Sequence, residues 1–195
     1  MQRIYTVVEM QAQSDIWRGE GLRVGLVPTM GFLHEGHLSL VDHSLRVADR
    51  TVVSIFVNPL QFGPKEDYAI YPRDMERDLD LLAQRGVDAV FHPQTVEFYP
   101  PDFSTFVEVQ NLTEGLCGVF RPGHFRGVTT VVTKLFTAVR PHLAVFGQKD
   151  YQQSAVIRRL VRDLNLGLHI EVAPIIREAD GLAMSSRTIN LSDDE

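Results

Sequence analysis

His34 and His37 stand three residues apart, just after an apolar run over residues 22–27 has passed through Pro28-Thr29-Met30-Gly31-Phe32-Leu33. At the opening of a helix that spacing lets both rings project on one side. A strand, a glycine-containing turn and a helix N-terminus together bring free backbone N–H groups and the positive end of the helix dipole to bear on an anion. The pair therefore reads as phosphate-facing, with a metal pair or plain capping histidines as the alternatives. A zinc protease would need i, i+4 spacing with a glutamate between, which is absent. Further along, Lys149 beside Asp150 follows the apolar run 143–147, and Ser185-Ser186-Arg187 offers hydroxyls and a guanidinium suited to phosphate. Gln61 and Gln153 carry amides that both donate and accept. Taken singly, each of these also reads as a solvated lysine, a polar turn or a surface glutamine.

The elements that must position these residues come from periodicity. Short β-branched and apolar runs at 22–27, 51–57, 88–91, 143–147 and 168–173 are separated by stretches of helical period. Val128, Val131, Val132, Leu135, Phe136 and Val139 form one helical stripe, as do Leu38, Val41, Leu45 and Ala48. Met75, Leu79, Leu82 and Ala83 give a third, and Val156, Ile157, Leu160, Val161 and Leu164 a fourth. This alternation implies an α/β fold with a doubly wound, Rossmann-like parallel sheet. Residues 105–109, Thr-Phe-Val-Glu-Val, read as an isolated strand at an edge or interface, flanked by the helix breakers Pro93, Pro100 and Pro101.

Composition narrows the function classes. The 195 residues carry 19 Lys plus Arg against 25 Asp plus Glu, a net charge of −6, which argues against a nucleic-acid partner. With 44% hydrophobic and 23% charged residues the chain can pack a core. Cys117 is the single cysteine, so no intramolecular disulfide and no cysteine-based zinc site is expected. No apolar run reaches the roughly 18 residues of a membrane span. A soluble, cytoplasmic protein is expected.

The His-x-Gly-His pattern at His34-Glu35-Gly36-His37 resembles the signature of the HIGH nucleotidyltransferase superfamily. Five further stretches accompany it: Val57-Asn58-Pro59-Leu60-Gln61-Phe62-Gly63, Tyr71-Pro72-Arg73, Arg121-Pro122-Gly123-His124-Phe125-Arg126-Gly127-Val128, Phe146-Gly147-Gln148-Lys149-Asp150-Tyr151-Gln152-Gln153, and residues 177–187 ending in Met184-Ser185-Ser186-Arg187. In this order they resemble the pantoate–β-alanine ligase family. That resemblance implies ATP-dependent joining of pantoate and β-alanine through pantoyl adenylate, with AMP and pyrophosphate released. It implies His37, His34 and Lys149 as catalytic residues. ATP would lie against Met30, Gly31, Phe32, Leu33, His34, Glu35, Gly36 and His37, against Gly147, Gln148, Lys149 and Asp150, and against Ile176, Met184, Ser185, Ser186 and Arg187. The resemblance assigns pantoate to Gln61 and Gln153, with Gln61 also near β-alanine and Asn58, Tyr71, Arg121 and His124 supporting, and His37 would act as proton donor. Mg2+ is implied with ATP; Asp78 is its candidate contact, although Arg77 stands where a relative carries a second acidic residue.

The resemblance further implies a homodimer. It also implies that residues 1–187 form the ATP- and pantoate-binding domain, with 188–195 opening a C-terminal lid domain otherwise absent, so that turnover of this chain would be poor. Two rivals remain at this stage: an adenylyl- or cytidylyltransferase that passes the nucleotide to a phosphate-bearing acceptor, and a non-catalytic binding and dimerising module.

Overall fold

The structure is a computed structural model that describes residues 1–64 and 66–188; residues 189–195, most of the expected lid opening, lie outside the described residues. Six parallel strands form one sheet: β1 Gln2–Ile4, β2 Val24–Thr29, β3 Arg50–Ile55, β4 Ala89–Phe91, β5 Leu143–Gly147 and β6 His169–Ala173, in spatial order β1-β4-β3-β2-β5-β6. The doubly wound reading holds, and its switch point lies between β2 and β5. Side chains alternate strictly across the sheet. Val27, Val53, Ile55, Val90, Leu143 and Val145 join α2 (Glu35–Val47) and α3 (Met75–Gln84) in one cluster. Val24, Leu26, Val52, Phe91, Ala144 and Phe146 join α1 (Val7–Gly19), α6 (His124–Val139) and α7 (Tyr151–Asp163) in the other. Two four-residue helices, α4 (Thr95–Phe98) and α5 (Cys117–Phe120), lie in the connection from β4 to α6.

Besides these two short helices, β1 and α1 were not anticipated. β1 has a single buried residue, Ile4, in three, too little for a period to show. α1 did leave a signal: the Thr6 side chain accepts from the backbone N–H of Glu9 while the Glu9 carboxylate accepts from the N–H of Thr6, a capping box legible as Thr-x-x-Glu. The isolated strand expected at 105–109 does not form a ladder among the described residues. Val107 instead lies along α6, its N–H donating to Thr130 Oγ1 at 3.0 Å and its carbonyl accepting from Thr129 Oγ1 at 2.6 Å. Threonine hydroxyls satisfy the backbone that alternation alone would assign to a sheet.

The ladder between β2 and β5 is short. β2 pairs with β3 over six residues, but with β5 only at Gly25↔Leu143 and Leu26↔Ala144. The carbonyl of Val24 accepts from His142 and that of Thr29 from Phe56, so even-numbered residues of β2 face β5 and odd-numbered ones face β3. Pro28 is the next even residue and has no N–H to give. The two central strands part there, at their carboxyl ends, where open α/β sheets hold ligands.

A second close approach sets the floor. The 3-10 turn Pro59–Gln61 packs on the start of α6 so tightly that a Cβ on Gly127 would stand 2.2 Å from the Leu60 carbonyl oxygen. Backbone on both sides cannot yield as a flexible side chain does. Gly127→Ala is expected to destabilise the protein by about 1–3 kcal/mol and lower its Tm by several degrees, because overpacking forces backbone shifts of that order. Thermal unfolding followed by circular dichroism reads it; an unchanged Tm would show that the turn moves freely.

Candidate active site

Where β2 and β5 part, a cleft of about 250 Å³ opens. Its lining includes Met30, His34, Gly36 and His37 from the turn after β2, Gly147, Lys149 and Asp150 from the turn after β5, and Ile176 and Met184 to Arg187 from the chain beyond β6. Gln61, Asn58, Tyr71, Arg121, His124 and Gln153 line the same space. The fold thus gathers most of the expected residues from sites more than a hundred positions apart.

The turn after β2 is held in an unusual conformation. Gly31 has φ of +80° and Phe32 of +50°, two successive left-handed residues of which only the glycine adopts that region readily. His34 then caps α2. Its Nδ1 accepts from the Gly36 N–H at 3.1 Å, while its own N–H donates to His37 Nδ1 at 3.4 Å. With both Nδ1 atoms accepting, both rings carry their proton on Nε2. The rings pack 4.1 Å apart. Desolvation, then the nearby charges of Lys149 and Arg77, hold His34 below its ordinary range. Burial, followed by His34 and Lys149, lowers His37 from 6.5 to about 3. Both are neutral donors at neutral pH.

The substrate-side residues form a connected network. Asn58, 1% exposed, donates to Gln61 Oε1 and to the Gly127 carbonyl, both at 3.1 Å, and accepts from the Tyr99 hydroxyl at 2.9 Å. Gln61 Nε2 reaches Met30 Sδ at 3.2 Å. His124 Nδ1–H donates to the Gln61 carbonyl at 2.8 Å, which leaves Nε2 to accept from Arg121 at 3.2 Å. Burial lowers the His124 pKa, in keeping with a neutral ring. Tyr71 is buried, its hydroxyl pushed up by desolvation.

Two arginines of the cleft are already paired. Arg121 makes a bidentate contact with Glu66 at 2.8 and 2.6 Å, and Arg187 another with Asp67 at 2.6 and 2.8 Å while its guanidinium lies 5.7 Å from the Tyr71 ring centroid. These contacts hold both carboxyls below the usual carboxylate range. Neither acid stands out in the sequence, where Glu66-Asp67 is an ordinary charged loop.

Some expected contacts fall elsewhere. Gly31, Phe32, Leu33, Glu35 and Gln148 do not line the cleft. The N–H groups of Phe32 and Leu33, expected to face phosphate, donate to Asp78 at 2.7 Å each, and Glu35 pairs with Arg85 at 3.4 Å. Asp78, expected at Mg2+, is 1% exposed with both oxygens engaged in this way. It does not fit a metal ligand, and among the described residues no group of three or more His, Cys, Asp or Glu is placed to hold one. Sequence reading also missed the apolar wall: Leu40, Phe56, Val128, Val131, Val132, Leu135, Phe146, Pro174 and Ile175 line the cleft. The α6 stripe gave the signal for part of that wall, but a stripe facing a ligand and one facing a core have the same period.

Comparison with known proteins accords with this geometry. The profile of the pantoate–β-alanine ligase family matches residues 2–195. The pantothenate synthetase of Thermotoga neapolitana is 60% identical over all 195 residues, which span 70% of its length, and that of Acetivibrio thermocellus is 57% identical over the same residues and 69% of its length. Among solved structures, the pantothenate synthetase of Thermus thermophilus superposes with a TM-score of 0.94 at 50% identity, covering 100% of this chain and 69% of that one. The pantoate–β-alanine ligase of Francisella tularensis, complexed with β,γ-ATP and β-alanine, gives 0.92 at 37% identity, covering 99% of this chain and 74% of its own. With relatives this similar spread along its whole length, the chain belongs to the pantoate–β-alanine ligase family.

Proposed function

We propose that the cleft holds ATP across the ends of β2 and β5 and pantoate beside Gln61 and Gln153, and that the protein performs the reaction of its family there: ATP-dependent condensation of pantoate with β-alanine. In the first step the pantoate carboxylate oxygen bonds to the α-phosphorus and pyrophosphate leaves. In the second the neutral β-alanine amine bonds to the acyl carbon, the acyl carbon–oxygen bond to AMP breaks, and the nitrogen gives up its surplus proton to solvent. The observation that carries the reading is the meeting of His34, His37 and Lys149 in one cleft with two glutamines and an apolar wall. Charge builds on phosphate oxygens in the first step, so fixed donors matter more than an acid. A neutral His37 serves as such a donor through Nε2–H. Mg2+ enters as a companion of the triphosphate, and no step is assigned to it through a side chain of this protein. The apolar wall suits the methyl-bearing chain of pantoate and limits water near a hydrolysable adenylate.

The rivals separate on products. Pyrophosphate release that requires pantoate, with AMP appearing only when β-alanine is added, supports the ligase. Nucleotide transfer to a phosphate-bearing acceptor, or ATP binding without pyrophosphate release, would favour the others. His37→Ala and Lys149→Ala are each expected to slow adenylate formation about 10²- to 10³-fold, the usual loss for one preorganised donor. Gln61→Ala and Gln153→Ala should weaken pantoate far more than ATP, and equal losses in calorimetric titration would remove the assignment.

The pH behaviour follows from His37. Its folded pKa of about 3 lies below the ordinary 6.5, so between those values the unfolded chain binds the extra proton and the stability due to this ring falls as pH drops from 6.5 toward 3. In the ligand-free protein the His37 C2 proton should therefore not titrate between pH 5 and 8 in NMR spectra. A midpoint near 6.5 would show an imidazolium acid.

A homodimer and a cytoplasmic location complete the reading. Among the described residues no helix is long and apolar enough to cross a membrane, and the exposed Leu116, Val119 and Phe120, the last 84% exposed, offer an apolar face for a second copy. Sedimentation equilibrium should find a dimer that Phe120→Asp weakens; a monomer at all concentrations would refute it.

A further inference from the structure

Asp78 sits in α3, 46 and 45 positions away in sequence from the two amides whose hydrogen bonds it accepts, and buries a carboxylate with, among the described residues, no cation closer than Arg77 at 3.8 Å. A buried charge persists where fixed dipoles replace its lost water. Here those dipoles are the N–H groups of Phe32 and Leu33, each at 2.7 Å, and they belong to the strained turn before His34. Phe32 holds φ of +50°, a region costly for a residue with a Cβ. Gly31 beside it has no room for a side chain, since a Cβ would stand 3.0 Å from Asp78 Oδ2 and 2.9 Å from Ile55 Cγ2. The Arg77 guanidinium covers the Phe32 ring at 5.3 Å. Two consecutive residues of α3 thus hold one turn.

We propose that Asp78 is a positioning residue: its carboxylate locks the left-handed Gly31–Phe32 turn and thereby aims His34 and His37 at the triphosphate, and it does so independently of any metal. The proposal rests on the reading of the cleft as an ATP site. It accounts for a feature that metal ligation leaves unexplained, namely that both oxygens are engaged by backbone and the residue is 1% exposed. Burial raises the Asp78 carboxyl above its ordinary value, and the backbone hydrogen bonds from Leu33 and Phe32 oppose that rise.

Asp78→Asn puts an amide NH2 against one of the two backbone N–H groups while keeping the shape. ATP affinity, measured by calorimetry in EDTA and again with Mg2+, should fall about tenfold or more in both conditions, the loss of roughly one hydrogen bond to a charged group. Pantoate affinity should stay within twofold. Adding Phe32→Gly, which accepts a positive φ without a clamp, should recover most of the ATP loss. A loss confined to Mg2+ would make Asp78 a metal ligand, and unchanged ATP binding in EDTA would end the proposal. Equal losses for ATP and pantoate would mean general support of the fold, and would also overturn it. If Asp78→Asn fails to fold, amide exchange in the unmodified protein decides: protected Phe32 and Leu33 amides support the lock, exchange at free-peptide rates refutes it. Absence of ATP binding by the unmodified protein would instead sink the underlying reading of the cleft, and the proposal with it.

Discussion

The site depends on where the central ladder stops. β2 holds β3 along its whole length and β5 holds β6 over five pairs, yet β2 and β5 share only two. A proline in a central strand is normally a defect, because it withdraws a donor from a ladder buried on both faces. Here Pro28 faces β5 and lines the cleft. The lost pairing leaves a gap that both neighbouring turns can reach. Everything that acts on a triphosphate in the proposed reading, from His34 and His37 on one side to Lys149 on the other, is brought together because these strands diverge while their outer partners keep them rigid.

The broad fold was legible because it is written in periods. β5 was found at its observed bounds and the α2, α3, α6 and α7 stripes fall on helices, since burial against a sheet demands those repeats. What escaped is short or is satisfied by something other than a period. β1 has one buried residue, and residues 105–109 alternate like a strand but bond to threonines of α6. The candidate site was legible as residue types and order, and as a resemblance to one family. Its internal wiring was not. Nothing in the spelling of Phe32 and Leu33 says that their N–H groups face Asp78 in place of a ligand, because that depends on the side of α3 presented to a turn some 45 residues earlier. Such violations of local rules concentrate where function constrains the backbone.

The remaining constraint is electrostatic. A cleft that binds a triphosphate and a carboxylate, as proposed here, needs cations, and cations crowded without partners repel one another and hold the fold at a disadvantage. Lys149 and Arg77 already depress His34. Glu66 and Asp67 occupy Arg121 and Arg187 through bidentate pairs on partly exposed side chains, where each pair is worth little net because water competes with it. That modest worth is what makes the arrangement workable. In the proposed reading an anion bound by either arginine would replace one carboxylate partner with another, so the affinity gained would be the difference between two similar contacts and not the full strength of an Arg–anion pair. Discrimination must then come from groups that have no internal partner to give up. Among the described residues of this cleft they include the Nε2–H groups of the two neutral histidines, which burial keeps uncharged, and the Gln153 amide.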